Sequence, residues 1–363
     1  MRPRGCQETA GYSKCASDFN NFLFFNKFRP FADLDLAKLR DLYCRDARQA
    51  GSAIKLTWDG LMNDRSQLRI AMVGVLLTGS LAVPAPPAVA QAQEQQIYIS
   101  VLDQNERMVA DLTVDDFIVR EDDVLREVLR VERATNPMQV ALLVDNSAAS
   151  APYLRDLRDG LGEFVKRIGG SDHEVAVITF GDRPTIVEEY TWSVIALQQA
   201  VGKIFPRPGG GSLLLDAIYD AGRGLQLRAA ARPVIVAVTT EGVEYSNRPY
   251  QAVLRTIRNA GATFHAVVMT ASGPSFDNGR SGQGSRFRDI VLERGTTQTG
   301  GRLIRLQAGQ FFRESMEAVA EELLSQYLLV YARPEMLVPP EKFELLTTRP
   351  SLTVRGRSVG AAQ

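Results

Sequence analysis

Four nearly unbroken apolar runs constrain this chain more than any other feature. They occupy residues 140–144, 175–180, 234–238 and 264–269. A strand that is apolar at successive positions, not merely at alternate ones, is covered on both faces, as in a parallel sheet layered between helices. Between the runs lie stretches with apolar residues at helical spacing. In the first of them Leu154, Leu157, Leu161, Phe164, Val165 and Ile168 fall along one stripe. Further helices are expected over residues 193–205, 213–227, 250–260, 286–298 and 310–326. Strand and helix in alternation over short connections predict an α/β fold, a doubly wound, mostly parallel sheet flanked by helices. The sheet is expected to finish with residues 327–331.

The flanks read differently. Residues 97–101, 117–121 and 128–131 alternate apolar and polar side chains, with turns at 103–105 and 121–123, and so predict short half-buried strands. Residues 342–346 and 351–355 have the same character. The expectation is a small β module at 93–135, a large α/β domain at 136–334 and a C-terminal β segment and tail at 335–363 that completes the module. Residues 271–285, rich in Gly and Ser, read as a mobile loop leaving the same sheet edge as the candidate site.

Residues 62–92 combine a basic start, an apolar run at 70–83, three prolines and a small-residue stretch ending Ala88-Val89-Ala90-Gln91-Ala92. That is the pattern of a secretory signal peptide, the alternative being a retained membrane anchor at 70–83. Met62, or as the alternative Met72, is then the expected translation start, and residues 1–61 a non-native or disordered leader. The expected location is periplasmic or extracellular. Cys6, Cys15 and Cys44 all precede the signal, so the exported part has no cysteine, which suits an oxidising compartment.

Composition narrows the chemistry by exclusion. Lys plus Arg and Asp plus Glu are both 42, so charge offers nothing for nucleic acid or for an anionic membrane. Only His173 and His265 are present, which argues against a histidine-based zinc site. His265, within an apolar run, reads as a core side chain and His173 as a solvated one. Trp192 and Tyr190 read as packing residues. No Gly-x-Ser-x-Gly elbow surrounds Ser147, and no Gly-Lys-Ser/Thr follows the glycines at 209–211, so neither a serine hydrolase nor a P-loop is expected. The chain is read as a non-enzyme.

In an open parallel sheet, ligands collect beyond the carboxyl ends of the strands. Three loops there bring oxygen donors together: residues 145–150 (DNSAAS), 209–216 (GGGSLLLD) and 239–242 (TTEG). Carboxylates and hydroxyls without histidine suit Mg²⁺, Mn²⁺ or Ca²⁺. A plainer role for Asp145, Ser147 or Ser150 is capping of the following helix. The three loops together resemble the metal-ion-dependent adhesion site of the von Willebrand factor type A family. Asp145 and Ser147 match its Asp-x-Ser-x-Ser loop, Ser212 stands at its Thr, and Glu241 at its Asp before Gly. Ala149 stands at its second Ser and supplies no oxygen. The resemblance covers about 195 residues from Met138 and extends to the lead-in at 111–123 and the tail at 327–357. It implies a divalent cation held by Asp145, Ser147, Ser212 and Glu241, with a position open to a partner's carboxylate. Asn146, Ser150 and Gly211 are then expected to touch the partner. A protein partner is expected, and no nucleic acid. Membrane contact is expected only if 70–83 is retained. The alternative is a metal-independent structural scaffold in an envelope complex.

Overall fold

The computed structural model describes residues 92–356, apart from 171, 208–210, 271–281, 335–339 and 341. The leader, the signal segment up to residue 91, the three cysteines, Gly209, Gly210 and most of the 271–285 loop lie outside the described residues.

The first strands form at the alternating segments. They are β1 (Ala92–Leu102), β2 (Phe117–Glu121), β3 (Val124–Arg126) and β4 (Val128–Arg133). Asp122 and Asp123, both at positive φ, make the tight turn between β2 and β3. The large sheet then begins with β5 (Gln139–Val144), followed by helix α1 (Leu154–Ile168), β6 (Glu174–Thr179), β7 (Thr185–Thr191), α2 (Val194–Gly202) and α3 (Leu214–Leu227). After these come β8 (Pro233–Thr240), α4 (Tyr250–Ala260), β9 (Thr263–Met269), α5 (Gln283–Thr299), β10 (Leu303–Leu306) and α6 (Phe312–Leu324). The last strands are β11 (Tyr327–Pro334), β12 (Phe343–Thr347) and β13 (Thr353–Gly356). No helix among the described residues is long and apolar enough to cross a membrane.

The large sheet has the order β10-β9-β8-β5-β6-β7, parallel except for β7, which runs antiparallel to β6. This is the expected doubly wound α/β architecture. Its two cores explain the apolar runs position by position. Val140, Leu142 and Val144 face the layer of α1, α2 and α6, while Ala141 and Leu143 face α3, α4 and α5. Two edge strands, β7 and β10, were not legible as strands. An edge strand has one neighbour and partial cover, so its apolar pattern is broken.

The expected last strand of this sheet belongs elsewhere. β11 lies between β1 and β4, antiparallel to both, in a second sheet of order β13-β1-β11-β4. Its first five residues are buried, as in a parallel strand, so the apolar run alone did not tell the two sheets apart. The C-terminal strands pair with the N-terminal ones: β13 with β1, and β12 with β2 in a three-stranded sheet. A third core, with Ile99, Val101, Phe117, Leu329 and Tyr331, lies there.

Candidate functional site

β5 leads into α1 on one face of the sheet, and its neighbour β8 leads into α4 on the other. Chains that leave adjacent strands in opposite directions open a crevice at the strands' carboxyl ends, the position where open α/β sheets bind ligands. Asp145 immediately follows β5, and Thr240 ends β8.

Asp145 is completely buried. Its Oδ1 accepts the Ser147 backbone N–H at 2.8 Å. Its Oδ2 accepts both the Thr240 N–H at 3.0 Å and the Thr240 hydroxyl at 2.7 Å. The carboxylate therefore ties the mouth of the crevice together, and three donors stabilise its charge away from water. Ser147 is just as deeply placed at 2% exposure, yet its hydroxyl has no hydrogen-bond partner. The backbone here runs into a short 3-10 turn, Ala148–Tyr153, with Ser147 at its start but no side-chain cap. The capping role open to Ser147 is thus not the one it takes.

Ser212 is also buried, and its hydroxyl donates to Glu244 Oε2 at 3.4 Å. Glu244 accepts further from the N–H groups of Leu214 at 3.3 Å and Ser246 at 3.1 Å. Burial raises the Glu244 carboxyl above its ordinary range, against the opposing pull of Ser246, Arg288 and Leu214. Arg288, reaching in from α5 and itself 7% exposed, donates to the Gly242 carbonyl at 2.5 Å. A guanidinium therefore already stands at this edge.

The other expected residues separate into two kinds. Glu241 is exposed on its loop. Asn146 is buried, accepting the Gly181 N–H at 2.7 Å and directing its amide toward the Phe205 carbonyl at 3.5 Å. Ser150 is buried and donates to the Ser147 carbonyl at 2.8 Å. Gly211 lies under the Tyr245 ring, where a side chain would collide. Ala149 approaches Gly242: a methyl group added to that glycine would sit 3.0 Å from the Ala149 Cβ and 3.9 Å from the Ser147 hydroxyl oxygen. Around this buried centre Phe205, Val243 and Tyr245 are exposed, at 60%, 45% and 62%.

As a cation site the donor set fits in part. Asp145 keeps lone pairs beyond its three bonds, and the unpartnered Ser147 hydroxyl beside it is the kind of oxygen a hard cation satisfies. Ser212 fits by chemistry but is engaged with Glu244, and no group of three or more His, Cys, Asp or Glu converges among the described residues. Thr240, Glu244 and Arg288 were missed as site residues. Thr240 lies in the loop at 239–242, but its hydroxyl's partner lies 95 positions earlier. Nothing local marks Glu244 or Arg288.

No family model and no curated protein matches the chain. Its neighbours among solved structures include von Willebrand factor type A domains. A von Willebrand factor type A protein from Catenulispora acidiphila shares 12% identity, covering 75% of each chain with a TM-score of 0.40. The vWF domain of the type V pili tip protein Mfa5 from Porphyromonas gingivalis shares 10%, over 52% of this chain and 96% of that one, at 0.40. Proximal thread matrix protein 1 from the mussel byssus, with a zinc-occupied MIDAS motif, shares 16%, over 56% of this chain, at 0.41. The match spans only about half the length of that mussel protein, 49%. Likenesses of this size carry no argument, and the site stands on its own geometry.

Proposed function

We propose that the chain is an exported, non-enzymatic protein-binding module of the von Willebrand factor A type. Its contact surface is the carboxyl edge of the large sheet. A divalent cation, Mg²⁺ or else Mn²⁺ or Ca²⁺, is held there by Asp145 and Ser147, with Ser212 within the same edge. When bound, such a cation supplies positive charge to a partner's carboxylate. The chain's own residues prepare the place. Thr240 fixes the Asp145 carboxylate, Asn146 holds the loop to Gly181, and the exposed Phe205, Val243 and Tyr245 provide apolar contact around it. Glu241, exposed, belongs to the rim.

The observation that carries this reading is the Ser147 hydroxyl. A buried hydroxyl without a partner costs about 1–3 kcal/mol, and an oxygen-seeking cation offsets that cost. Ser147 is also the cleanest probe. Replacing Asp145 breaks three hydrogen bonds, whereas Ser147→Ala breaks no side-chain bond. Melting with and without Mg²⁺, Mn²⁺ or Ca²⁺ is expected to show stabilisation by the cation that Ser147→Ala abolishes, while the cation-free melting temperature rises, because the unpartnered hydroxyl is gone. Absence of any shift at millimolar concentrations of all three ions sinks the cation reading.

One observation favours a second reading. Asp145 is already satisfied by three donors, and Arg288 already brings positive charge to Gly242. On that reading the edge is a metal-independent assembly surface of a scaffold in an envelope complex. Retention of a native partner by the protein in excess EDTA selects it. Loss of the partner selects the cation.

A further inference from the structure

The opposite edge of the large sheet holds a cavity of about 500 Å³, at the amino ends of β5 and β6. Gln139 opens β5, Glu174 opens β6, and the two are paired across the strands. Asp172 and Glu174 line one side, Pro137 and Met138 another, and Trp192, just beyond β7, completes it. The six-residue length of β5 puts roughly 20 Å between this cavity and Asp145.

The polar groups in the cavity share one character. The Gln139 amide donates through Nε2 to the Glu174 carboxylate at 2.8 Å. That bond fixes the orientation of the amide, because turning it over would put Oε1 against a carboxylate. Oε1 is therefore left pointing elsewhere, buried and with no donor. Asp172, exposed, adds a second carboxylate. Arg228 meets Glu174 at 3.6 Å but spends its guanidinium plane on Tyr190, 4.4 Å from the ring centre. Trp192, expected from sequence to be a packing residue, is instead 64% exposed. An exposed indole is the strongest cation–π acceptor among side chains.

We infer that this cavity is a second binding site, which takes an organic cation, an ammonium or guanidinium group, between Trp192 and the carboxylates of Asp172 and Glu174. The exposed Pro137 suits the methylene stem of a lysine or arginine side chain, whose charged head then meets the carboxylates. A free small ammonium ion presents the same chemistry without the stem. The site depends neither on Asp145 nor on any metal, so it stands or falls apart from the carboxyl-edge reading.

The test uses the full chain. It contains two tryptophans, Trp58 and Trp192, so Trp58→Phe leaves Trp192 as the only indole. Emission is followed during titration with tetramethylammonium chloride and with Nα-acetyl-lysine amide, against sodium chloride at matched ionic strength. A saturable change with either organic cation, absent with sodium, is expected. Asp172→Asn and Glu174→Gln are each expected to weaken it about tenfold, the equivalent of one lost charged contact. Asp172 is exposed, so its variant keeps the test intact should Glu174→Gln perturb folding. Saturation by tetramethylammonium alone identifies a small-cation site, and saturation by the lysine derivative a side-chain site. Responses no different from sodium chloride overturn the inference, as does full affinity in both carboxamide variants.

Discussion

Asp145 and Ser147 are two positions apart and equally buried, but their circumstances are opposite. The first accepts three hydrogen bonds and the second makes none through its side chain. Asp145→Ala is expected to cost about 2–4 kcal/mol in chemical denaturation without a divalent ion, because it leaves the Thr240 and Ser147 donors unpaired, and more with the ion present, because the bound cation is lost as well. Ala149→Ser, which adds a hydroxyl beside Gly242, is expected to enlarge the Mg²⁺-induced rise in melting temperature. A smaller rise than in the unaltered protein counts against a cation at this place. His265 supplies a pH dependence unconnected with the site. Burial is the first cause of its depressed pKa of about 4, aided by Arg355 and Arg302 and opposed by Glu322. The folded state thus prefers neutral imidazole. Its stability contribution is complete above the unfolded value near 6.5, is lost as pH falls from there toward 4, and changes no further below. The loss is on the order of 3 kcal/mol. His173, also depressed by burial, acts in the same direction. Urea midpoints at pH 7 and pH 5 are expected to lie closer together in His265→Gln than in the unaltered protein.

Among the elements, the pairing of α1 with α6 shows how one helix face is specified. A side chain on Gly160 would meet the Phe312 ring at 2.5 Å and the Arg313 backbone at 3.1 Å, whereas one on Gly162 would meet nothing within 4 Å. The two Gly→Ala changes in one helix should therefore have opposite signs. Gly162→Ala is expected to stabilise by up to about 1 kcal/mol through helix propensity. Gly160→Ala is expected to destabilise by about 1–3 kcal/mol through overpacking. Thermal denaturation of both variants settles it, and equal effects would show that α1 does not pack against Phe312 as described. The helices themselves were legible in the sequence, to within a few residues at either end, because their stripes follow from neighbours three and four positions apart. The edge strands β7 and β10 were not, since partial cover leaves no regular pattern.

For the whole molecule, one of the ties between the small module and the large sheet is a fully buried arginine. Arg232 donates to the carbonyls of Ala134, Asn136 and Leu323 and to the Gln326 amide oxygen, and it stands over Tyr98 of β1. These acceptors span the junction from β4 to β5 and from α6 to β11. Arg232→Ala is expected to cost about 3 kcal/mol or more, because several buried acceptors lose their donor together. Amide exchange in β1 and β11 of that variant should then run ahead of exchange in β5 and β8; exchange in step would show that the arginine is not such a tie.

The sequence by itself determined the doubly wound class, the order of its helices and central strands, and the three loops at the carboxyl edge. These follow from patterns read within a few residues, since periodicity reports which faces of an element are covered. Only the tertiary structure decided that β11 joins the small module, that Thr240 holds Asp145, that Glu241 is exposed while Glu244 is buried against Ser212, and that Trp192 is open to solvent. Each of these depends on residues far apart in the chain, 32 positions for Ser212 and Glu244 and 95 for Asp145 and Thr240. Local pattern carries no record of such pairings, because they form only when separate elements pack.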